Sequence, residues 1–323
     1  MKNIKYIFIV LALSLIVLSG CGLPGLGDSN SKDSVKITAT ESSETKIVAN
    51  IEKLMIEHYT NGDIKPIIIG NLGSSIVQHN ALMRGDANMS AVRFTGTELT
   101  SVLDAPPTRD ANKAMDESQR LFKKKYDQKY YHSLGFENTY AFMVTKETAD
   151  KYHLEKVSDL EKYKDQLRLG MDTQWMNRAG DGYPAFQKEY GFKFKSARPM
   201  QIGLVYDALK NKKLDIAVGY STDGRIAAYN LKILKDDRNF FPPYDGSPLA
   251  TEELIKDHPE IDKALTKLEN TISTKEMQKL NYEADGKEKN QPSLQKNLLK
   301  NITILKIRKV VNNSEREFVK FAL

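Results

Sequence analysis

The stretch Val35–Ile69, VKITATESSETKIVANIEKLMIEHYTNGDIKPIII, contains a strand pattern, a helix pattern and a second strand pattern in succession. Val35–Ala39 is rich in β-branched residues and predicts a strand. From Ser43 to Tyr59 the apolar residues recur at helical spacing on one face. Ile64–Ile69 is apolar and β-branched again, and predicts the second strand. The order strand, helix, strand is typical of α/β proteins.

The same alternation continues along the chain. Further strands are predicted at 89–93, 140–145, 167–171 and 216–218, and further helices at 74–83, 111–126 and 201–210. A short helix is predicted to open at Val157, and the C-terminal third to be largely helical. We therefore expect an α/β fold with mostly parallel strands, in which ligands bind at the carboxyl ends of strands and at domain junctions.

The N-terminus has the order of a secretory signal. Lys2 and Lys5 precede the apolar segment Ile7–Leu18, which is too short to be a transmembrane helix and is followed directly by Ser-Gly-Cys21. This resembles a bacterial lipobox, in which the cysteine is lipidated and becomes the new N-terminus; an ordinary signal peptide with a stray cysteine is the alternative. We predict a signal peptide at 1–20 and a Gly/Pro/Ser-rich flexible tether at 21–34.

Enzymatic and metal-dependent chemistry has little support in the sequence. Cys21 is the single cysteine, so its lipidation would remove the only thiol from the mature chain. The five histidines are scattered without metal-ligand spacing, and no GxSxG, P-loop or GxGxxG pattern occurs. We therefore predict no enzymatic activity, no metal and no cofactor.

The formal net charge of +6 is unevenly distributed. Residues 290–323 contain seven Lys or Arg against two Glu, and two more lysines lie in the predicted signal peptide. The remaining body is close to neutral, so we expect no nucleic-acid partner.

The sequences at the ends of two predicted strands are typical of a binding site. Asn71–Ser75 follows a strand and opens a helix, where free backbone N–H groups favour an anion such as a carboxylate. A plain turn capped by Ser74 or Ser75 explains this stretch equally well. Arg93–Leu99 follows the next strand.

Four aromatic residues stand at unusual places, at strand ends or beside Pro and Gly: Phe94, Tyr140, Tyr220 and Tyr244. Each alone is more often a packing residue. Together they could surround a quaternary ammonium, since aromatic faces attract cations.

Several motifs resemble the glycine betaine/carnitine/choline-binding lipoproteins of osmoprotectant ABC transporters. They are Asn71–Ser75, Phe94–Thr97, Asn138–Thr145, Trp175–Arg178, Gly180–Tyr183, Gly219–Arg225, Phe241–Asp245 and Asn281–Lys287. The resemblance runs from the lipobox to about residue 289. It implies a two-lobed type II periplasmic-binding-protein fold, with crossovers near 138–140 and 243–245 and a ligand cleft that closes by hinge motion. The implied first lobe is 35–138 plus 244–289, and the second is 139–243.

The resemblance places the family's aromatic cage on Phe94, Tyr140, Tyr220 and Tyr244. Phe94 is a departure, because the family has tyrosine there; phenylalanine keeps the aromatic face and loses the hydroxyl. Thr97 lies near the cage in sequence, where a neutral hydroxyl suits a zwitterion and an acid would favour choline. Asn138, Ser74 and Ser75 are weaker candidates for the carboxylate end of the ligand.

The segment 290–323 is atypical of the family. Its residues do not follow the amphipathic helix that family members carry there, and our hypothesis is a frameshift near residue 289. A basic tail that contacts the anionic envelope is the alternative.

The predicted function is therefore capture of a quaternary ammonium osmoprotectant by a monomeric lipoprotein. It would be anchored through Cys21 at the extracytoplasmic face of the cell membrane, which we expect to be Gram-positive, and would act with an ABC permease and its ATPase. A binding protein specific for choline or another amine, and a surface enzyme with Asp223 and Arg225 in its cleft, are the alternatives.

Overall fold

The computed structural model describes residues 34–178 and 180–288. The predicted signal peptide, Cys21, nearly all of the tether and the atypical tail lie outside these residues. No helix within the two described ranges is long and apolar enough to cross a membrane.

The first of two five-stranded sheets has the order β2-β1-β3-β10-β4. Its strands are β1 (Lys36–Thr40), β2 (Ile67–Leu72), β3 (Met89–Phe94), β4 (Gln128–Tyr130) and β10 (Gly246–Thr251). The second sheet has the order β7-β6-β8-β5-β9. Its strands are β5 (Tyr140–Thr145), β6 (Arg168–Met171), β7 (Ser196–Pro199), β8 (Ile216–Tyr220) and β9 (Leu231–Ile233). Each sheet is the centre of one lobe, as the two-lobed prediction requires.

Helices cover the sheets and occupy most connections. In the first half of the chain they are α1 (Ser43–Tyr59), α2 (Ser75–Met83), α3 (Thr95–Ser101), α4 (Ala111–Tyr126), α5 (Lys146–Tyr152) and a 3-10 helix (Val157–Tyr163). The second half adds α6 (Thr173–Asn177), α7 (Tyr183–Tyr190), α8 (Ile202–Lys210), α9 (Gly224–Ala228), α10 (Glu252–Asp257), α11 (Pro259–Thr266) and α12 (Thr274–Glu288).

The expectation of mostly parallel strands is wrong for the described residues. Four of the eight strand pairings are parallel and four are antiparallel. In each sheet the antiparallel pairings involve strands that flank a passage between the lobes, namely β4 and β10 in one and β5 and β9 in the other. A strand that arrives from the other lobe is not the end of a local βαβ unit, so local sequence patterns do not reveal its direction.

Element positions were predicted best where an element is long and periodic. The helices α1 and α4 and the strand β5 begin and end at the predicted residues. Strand β2 begins three residues later than predicted, directly after Pro66, which has no N–H to donate to a sheet. The expectation of a largely helical C-terminal third missed β9 and β10.

The chain passes from the first sheet to the second between β4 and β5, and returns between β9 and β10. The two crossovers pair with each other: Glu137 bridges Asp245 in antiparallel fashion, and the Asn138 amide donates to the Tyr244 carbonyl at 3.1 Å. The residues just beyond both crossovers are therefore held close together.

The last described helix, α12, contacts both lobes. Gln278 donates to the Ser221 carbonyl at 2.7 Å, and a Cβ added to Gly224 would lie 2.4 Å from the Tyr282 nitrogen. Thus α12, which the sequence assigned to the first lobe, also packs closely on the second.

Each lobe has its own apolar core. In the first, residues of β1, α1 and β3 pack with α11 and α12. In the second, the core is rich in aromatic residues, with Phe142, Phe186 and Trp175 fully buried. Large rigid rings on the second sheet provide a firm support for the residues at its strand ends.

A buried ion pair fixes the end of β3 to α3. Arg93 and Glu98 are fully buried, and the Arg93 guanidinium donates to both carboxylate oxygens of Glu98. Ser75 donates to the same carboxylate at 2.7 Å, and Tyr130 donates to the Arg93 carbonyl at 2.9 Å. This network ties α2, β3, α3 and β4 together directly behind Phe94.

We expect Glu98→Gln to destabilise the protein strongly, because it leaves the Arg93 charge buried without a partner. Loss of one member of a buried pair typically costs about 3–5 kcal/mol. For a domain of this size, that lowers the thermal midpoint by roughly 10 °C, measurable by circular dichroism.

Glu117→Gln is the matched control, since Glu117 forms its ion pair with Arg120 on the exposed surface of α4. Its thermal midpoint should equal that of the unsubstituted protein. Equal midpoints for the two variants would contradict the role given to the buried pair.

Candidate functional site

Tyr140 and Tyr220 form a stacked pair at the edge of the second lobe. They are direct partners in the antiparallel register of β5 and β8, which places both side chains on the same face. Their ring centroids are 5.0 Å apart at 30°, and their hydroxyl oxygens are 3.4 Å apart. Trp175 and Phe241 pack against Tyr140 with centroids 6.3 and 6.2 Å away. The pair is thus supported by the aromatic core.

Tyr244 lies in the second crossover and packs on the first turn of α3. A Cβ added to Gly96 would lie 2.7 Å from the Pro243 carbonyl oxygen and 3.0 Å from Cε1 of Tyr244. The Gly96 amide donates to that carbonyl at 3.1 Å. Glycine at this position lets the crossover and the Tyr244 ring approach the helix closely.

Phe94 joins this group through its backbone. It ends β3 opposite Gly246 in β10, and the next residue, Thr95, donates to the Asp245 carbonyl at 3.2 Å. The Phe94 ring packs against the Phe136 ring, with 6.4 Å between their centroids. Phe94 therefore lies beside the Tyr244 segment, and its half-buried ring faces Phe136 in this conformation.

Arg178 connects the tyrosines at the two crossovers, and sequence reasoning gave it no role. Its guanidinium carbon lies 5.8 Å from the Tyr140 ring centroid, and Nη2 donates to the Tyr244 hydroxyl at 2.8 Å. Its Nε donates to Asp181, which also accepts a hydrogen bond from Tyr244 at 3.1 Å. The spacing Arg178-x-x-Asp181, which contains Gly180 and is followed by Gly182, is the available signal in the sequence.

Asp172 is the second acidic residue at the site. It follows β6, and its Oδ1 accepts a hydrogen bond from the Trp175 amide at 2.5 Å. Its Oδ2 accepts one from the Tyr220 hydroxyl at 3.4 Å. The carboxylate is buried behind the Tyr140–Tyr220 pair.

Burial raises the pKa of Tyr140, Tyr220 and Tyr244 above the usual phenol range. All three are therefore neutral phenols at physiological pH. They present uncharged aromatic faces and can donate hydrogen bonds to the neighbouring carboxylates.

Three of the four weaker polar candidates are engaged within the protein. The side-chain amide of Asn138 donates to the Glu44 carboxylate at 2.8 Å, and the Ser75 hydroxyl donates to the Glu98 carboxylate. Ser74 caps α2 by accepting from the Val77 amide at 3.3 Å. Thr97 is half-buried in the first turn of α3, next to Gly96 and hence near Tyr244.

A cavity of about 400 Å³ adjoins Tyr244 and Arg178. It is lined by Gly96, Thr100, Pro107, Thr108, Arg109, Arg178, Gly180, Asp181, Phe240, Pro242 and Tyr244. Its lining combines apolar walls with a few charged groups, as small-molecule sites usually do. Within residues 34–178 and 180–288, no group of three or more His, Cys, Asp or Glu is placed to hold a metal ion.

Comparison with known families identifies the kind of protein to which this site belongs. Residues 33–301 match a family described as the substrate-binding domain of an ABC-type glycine betaine transport system. The chain belongs to this family. The match extends to residue 301, past residue 289, where the sequence motifs predict that the resemblance ends.

Individual relatives of the chain support the same assignment to transport binding proteins. The carnitine transport binding protein OpuCC of Listeria monocytogenes is 52% identical over 293 residues, which cover 91% of this chain and 94% of that protein. A solved structure described as a glycine betaine/carnitine/choline ABC transporter has 60% identity and a TM-score of 0.79, covering 83% of this chain and 98% of the other. The ergothioneine transport permease/ergothioneine binding protein EgtU of Helicobacter pylori is 30% identical over 93% of this chain and 54% of its own length.

These findings confirm the predicted fold and function class. The chain is a two-lobed substrate-binding protein of an osmoprotectant ABC transporter, so it has a small ligand and acts with a permease and an ATPase. Its named relatives are transport binding proteins rather than enzymes.

We expect Gly96→Ala to destabilise the protein, because the new methyl group would overlap the Pro243 carbonyl and the Tyr244 ring. Overpacking of this kind costs about 1–3 kcal/mol, which lowers the thermal midpoint by roughly 5 °C.

Gly73→Ala is the control, since a Cβ there meets nothing within 4 Å. Its midpoint should stay the same or rise slightly. A Gly96→Ala midpoint equal to that of Gly73→Ala would show that the second crossover does not need this close approach.

Proposed function

We propose that the protein captures a trimethylammonium osmoprotectant, such as glycine betaine, carnitine or choline, with Phe94, Tyr140, Tyr220 and Tyr244. The observation that carries the proposal is the Arg178 guanidinium over the Tyr140 face, with Tyr220 stacked beside that ring and Tyr244 bonded to the guanidinium. A cation already lies over the Tyr140 face and is bonded to the Tyr244 hydroxyl. The same faces suit the cationic head of a ligand.

The energetics favour a cage of neutral rings. A desolvated cation over an aromatic face gains about 2 kcal/mol, and a quaternary ammonium has no N–H groups to leave unsatisfied when it is buried. Three or four faces therefore approach the roughly 8 kcal/mol of a micromolar complex, before the costs of ordering are subtracted. Phe94 keeps such a face although it lacks a hydroxyl.

Arg178 and Thr97 are the best-placed groups for the ligand's carboxylate. Within the described residues, Nε of Arg178 is bonded to Asp181 and Nη2 to Tyr244, which leaves Nη1 able to donate. Arginine binds carboxylates well because its donors form a planar fork. Asn138, Ser74 and Ser75 are weaker candidates, because their side chains already form hydrogen bonds within the protein. Asn138 bonds to Glu44, Ser74 caps α2, and Ser75 bonds to Glu98.

We infer a binding function without catalysis. Asp223 and Arg225, the alternative catalytic pair, have structural roles. Asp223 caps α9 and forms an ion pair with Arg225 at 2.6 Å. The Arg225 guanidinium in turn lies 4.3 Å from the Tyr206 ring centroid. This pair orders the loop after Tyr220.

We propose further that the protein works as a monomer, anchored through lipidated Cys21 at the extracytoplasmic face of a Gram-positive cell membrane. The lipobox-like order before Cys21 and the Gly/Pro/Ser-rich tether support the anchor. The Listeria relative supports the cell type.

Titration of the purified protein with each ligand tests the proposal through Trp175, the single tryptophan, whose ring lies 6.3 Å from that of Tyr140. We expect saturable, micromolar changes in fluorescence with glycine betaine, carnitine or choline. Ergothioneine, which also carries a trimethylammonium group, belongs in the same competition series. No change with any of these compounds would contradict the proposal.

Tyr220→Ala should weaken binding about thirtyfold, because one cation–π face of about 2 kcal/mol is lost. Tyr152→Ala is the matched control, since the Tyr152 ring contacts Tyr163 in the second lobe rather than a cage residue. Equal affinities for the two variants would place the ligand elsewhere.

Arg178→Gln should weaken binding of glycine betaine and carnitine about ten- to hundredfold, since a charged hydrogen bond to the carboxylate contributes about 1.5–3 kcal/mol. Choline has no carboxylate and should be affected much less. Arg168→Gln, which breaks the Arg168–Asp215 pair at the other end of β6, should change neither affinity. An equal loss for choline and betaine in Arg178→Gln would contradict the assignment of the carboxylate partner.

A further inference from the structure

Asp172 is a buried carboxylate that forms no ion pair within the described residues. Its residue is only 9% exposed, and Arg178, a cation at the site, is instead paired with Asp181. A buried charge is costly unless something offsets it, so a carboxylate without an ion pair beside a binding site calls for an explanation.

Hydrogen bonds connect Asp172 to the aromatic pair. The Tyr220 hydroxyl lies 3.4 Å from Oδ2 of Asp172 and 3.4 Å from the Tyr140 hydroxyl. Tyr140 can therefore donate to Tyr220 while Tyr220 donates to Asp172, and the chain of two phenols ends on a negative charge. Hydrogen bonds in such a chain polarise one another in a medium of low dielectric constant.

This chain makes the faces of both rings more negative. A phenol that donates to a carboxylate gains electron density on its ring, and the attraction of a cation to an aromatic face is electrostatic. The buried carboxylate itself also attracts a cation held on the other side of Tyr220, because charges interact more strongly away from bulk water. Both effects act on a charged ligand and neither acts on a neutral ligand of the same shape.

We propose that Asp172 is a positioning residue that sets the charge selectivity of the cage through the Tyr220 hydroxyl. The inference rests on the proposed capture of a quaternary ammonium by Tyr140 and Tyr220. Asp172 does not touch the ligand. The ligand's positive charge offsets the buried carboxylate, so binding of a cation removes an electrostatic cost that a neutral molecule leaves in place.

The test compares choline with 3,3-dimethylbutan-1-ol, its uncharged isostere, by calorimetric titration of the purified protein. Asp172→Asn removes the charge and keeps the shape, and asparagine caps a helix about as well as aspartate, so the Trp175 amide keeps its acceptor. We expect choline affinity to fall about tenfold and affinity for the neutral alcohol to stay constant. If Asp172 had only a structural role, the substitution would lower the affinities for choline and for the neutral alcohol by the same factor.

Asp110→Asn is the matched control, because Asp110 caps α4 through the Lys113 amide and contacts no cage residue. The ratio of the two affinities should be unchanged in this variant. Tyr220→Phe, which removes the connecting hydroxyl and keeps the ring, should lower the ratio in the same direction as Asp172→Asn. The double variant should lose little more than Asp172→Asn alone, since the effect of the hydroxyl depends on the carboxylate that accepts its hydrogen bond.

An unchanged ratio of choline to alcohol affinity in Asp172→Asn would overturn the inference while leaving the proposed function intact. If Asp172→Asn does not fold, an unchanged ratio in Tyr220→Phe would overturn it equally. Failure of the unsubstituted protein to bind any quaternary ammonium would instead overturn the proposed function, and the inference with it.

Discussion

The buried Glu44 carboxylate is the interaction on which the two-lobed arrangement depends. It accepts hydrogen bonds from the amides of Asn138 and Asn281 at 2.8 and 3.2 Å, and from the side chain of Thr222. Asn138 belongs to the first crossover, Asn281 to α12 and Thr222 to the loop after β8, while Glu44 itself lies in the first turn of α1. Burial raises the pKa of Glu44, and the three hydrogen bonds oppose that rise. One side chain thus joins both lobes at the point where the chain crosses between them.

The junction between the lobes and the proposed ligand site are built from neighbouring residues. Tyr140 comes two residues after Asn138, and Tyr220 two residues before Thr222, so two residues of the proposed cage are positioned from the Glu44 junction. Tyr244 lies in the second crossover. Because lobes of this fold close by rotation about their crossovers, a small change at the junction moves aromatic faces relative to each other.

The acidic residues around the site differ in how their charge is compensated. Glu98 is matched by Arg93 in a closed, fully buried pair that needs nothing from outside the protein. Asp181 is shared between Arg178 and Tyr244, which couples that charge to the second crossover. Among the residues that the structure describes, Asp172 has hydrogen bonds to neutral donors only. The first arrangement stabilises the fold and the second connects α6 to the second crossover, whereas in our proposal the third gives the aromatic site a field that favours cations.

Local sequence determined much of this protein: the α/β class, the long periodic elements such as α1 and α4, and the aromatic residues at strand ends. These follow from periodicity and from turn chemistry, which depend on a few neighbouring residues. Family resemblance then indicated the two-lobed fold and the cage positions. Tertiary structure alone decided the antiparallel direction of β10 and the partners of Arg178, Asp172 and Glu44. Glu44 and Asn281 are far apart in sequence, as are Arg178 and Tyr244, and no periodic pattern records which distant polar groups will meet when two crossovers bring the lobes together.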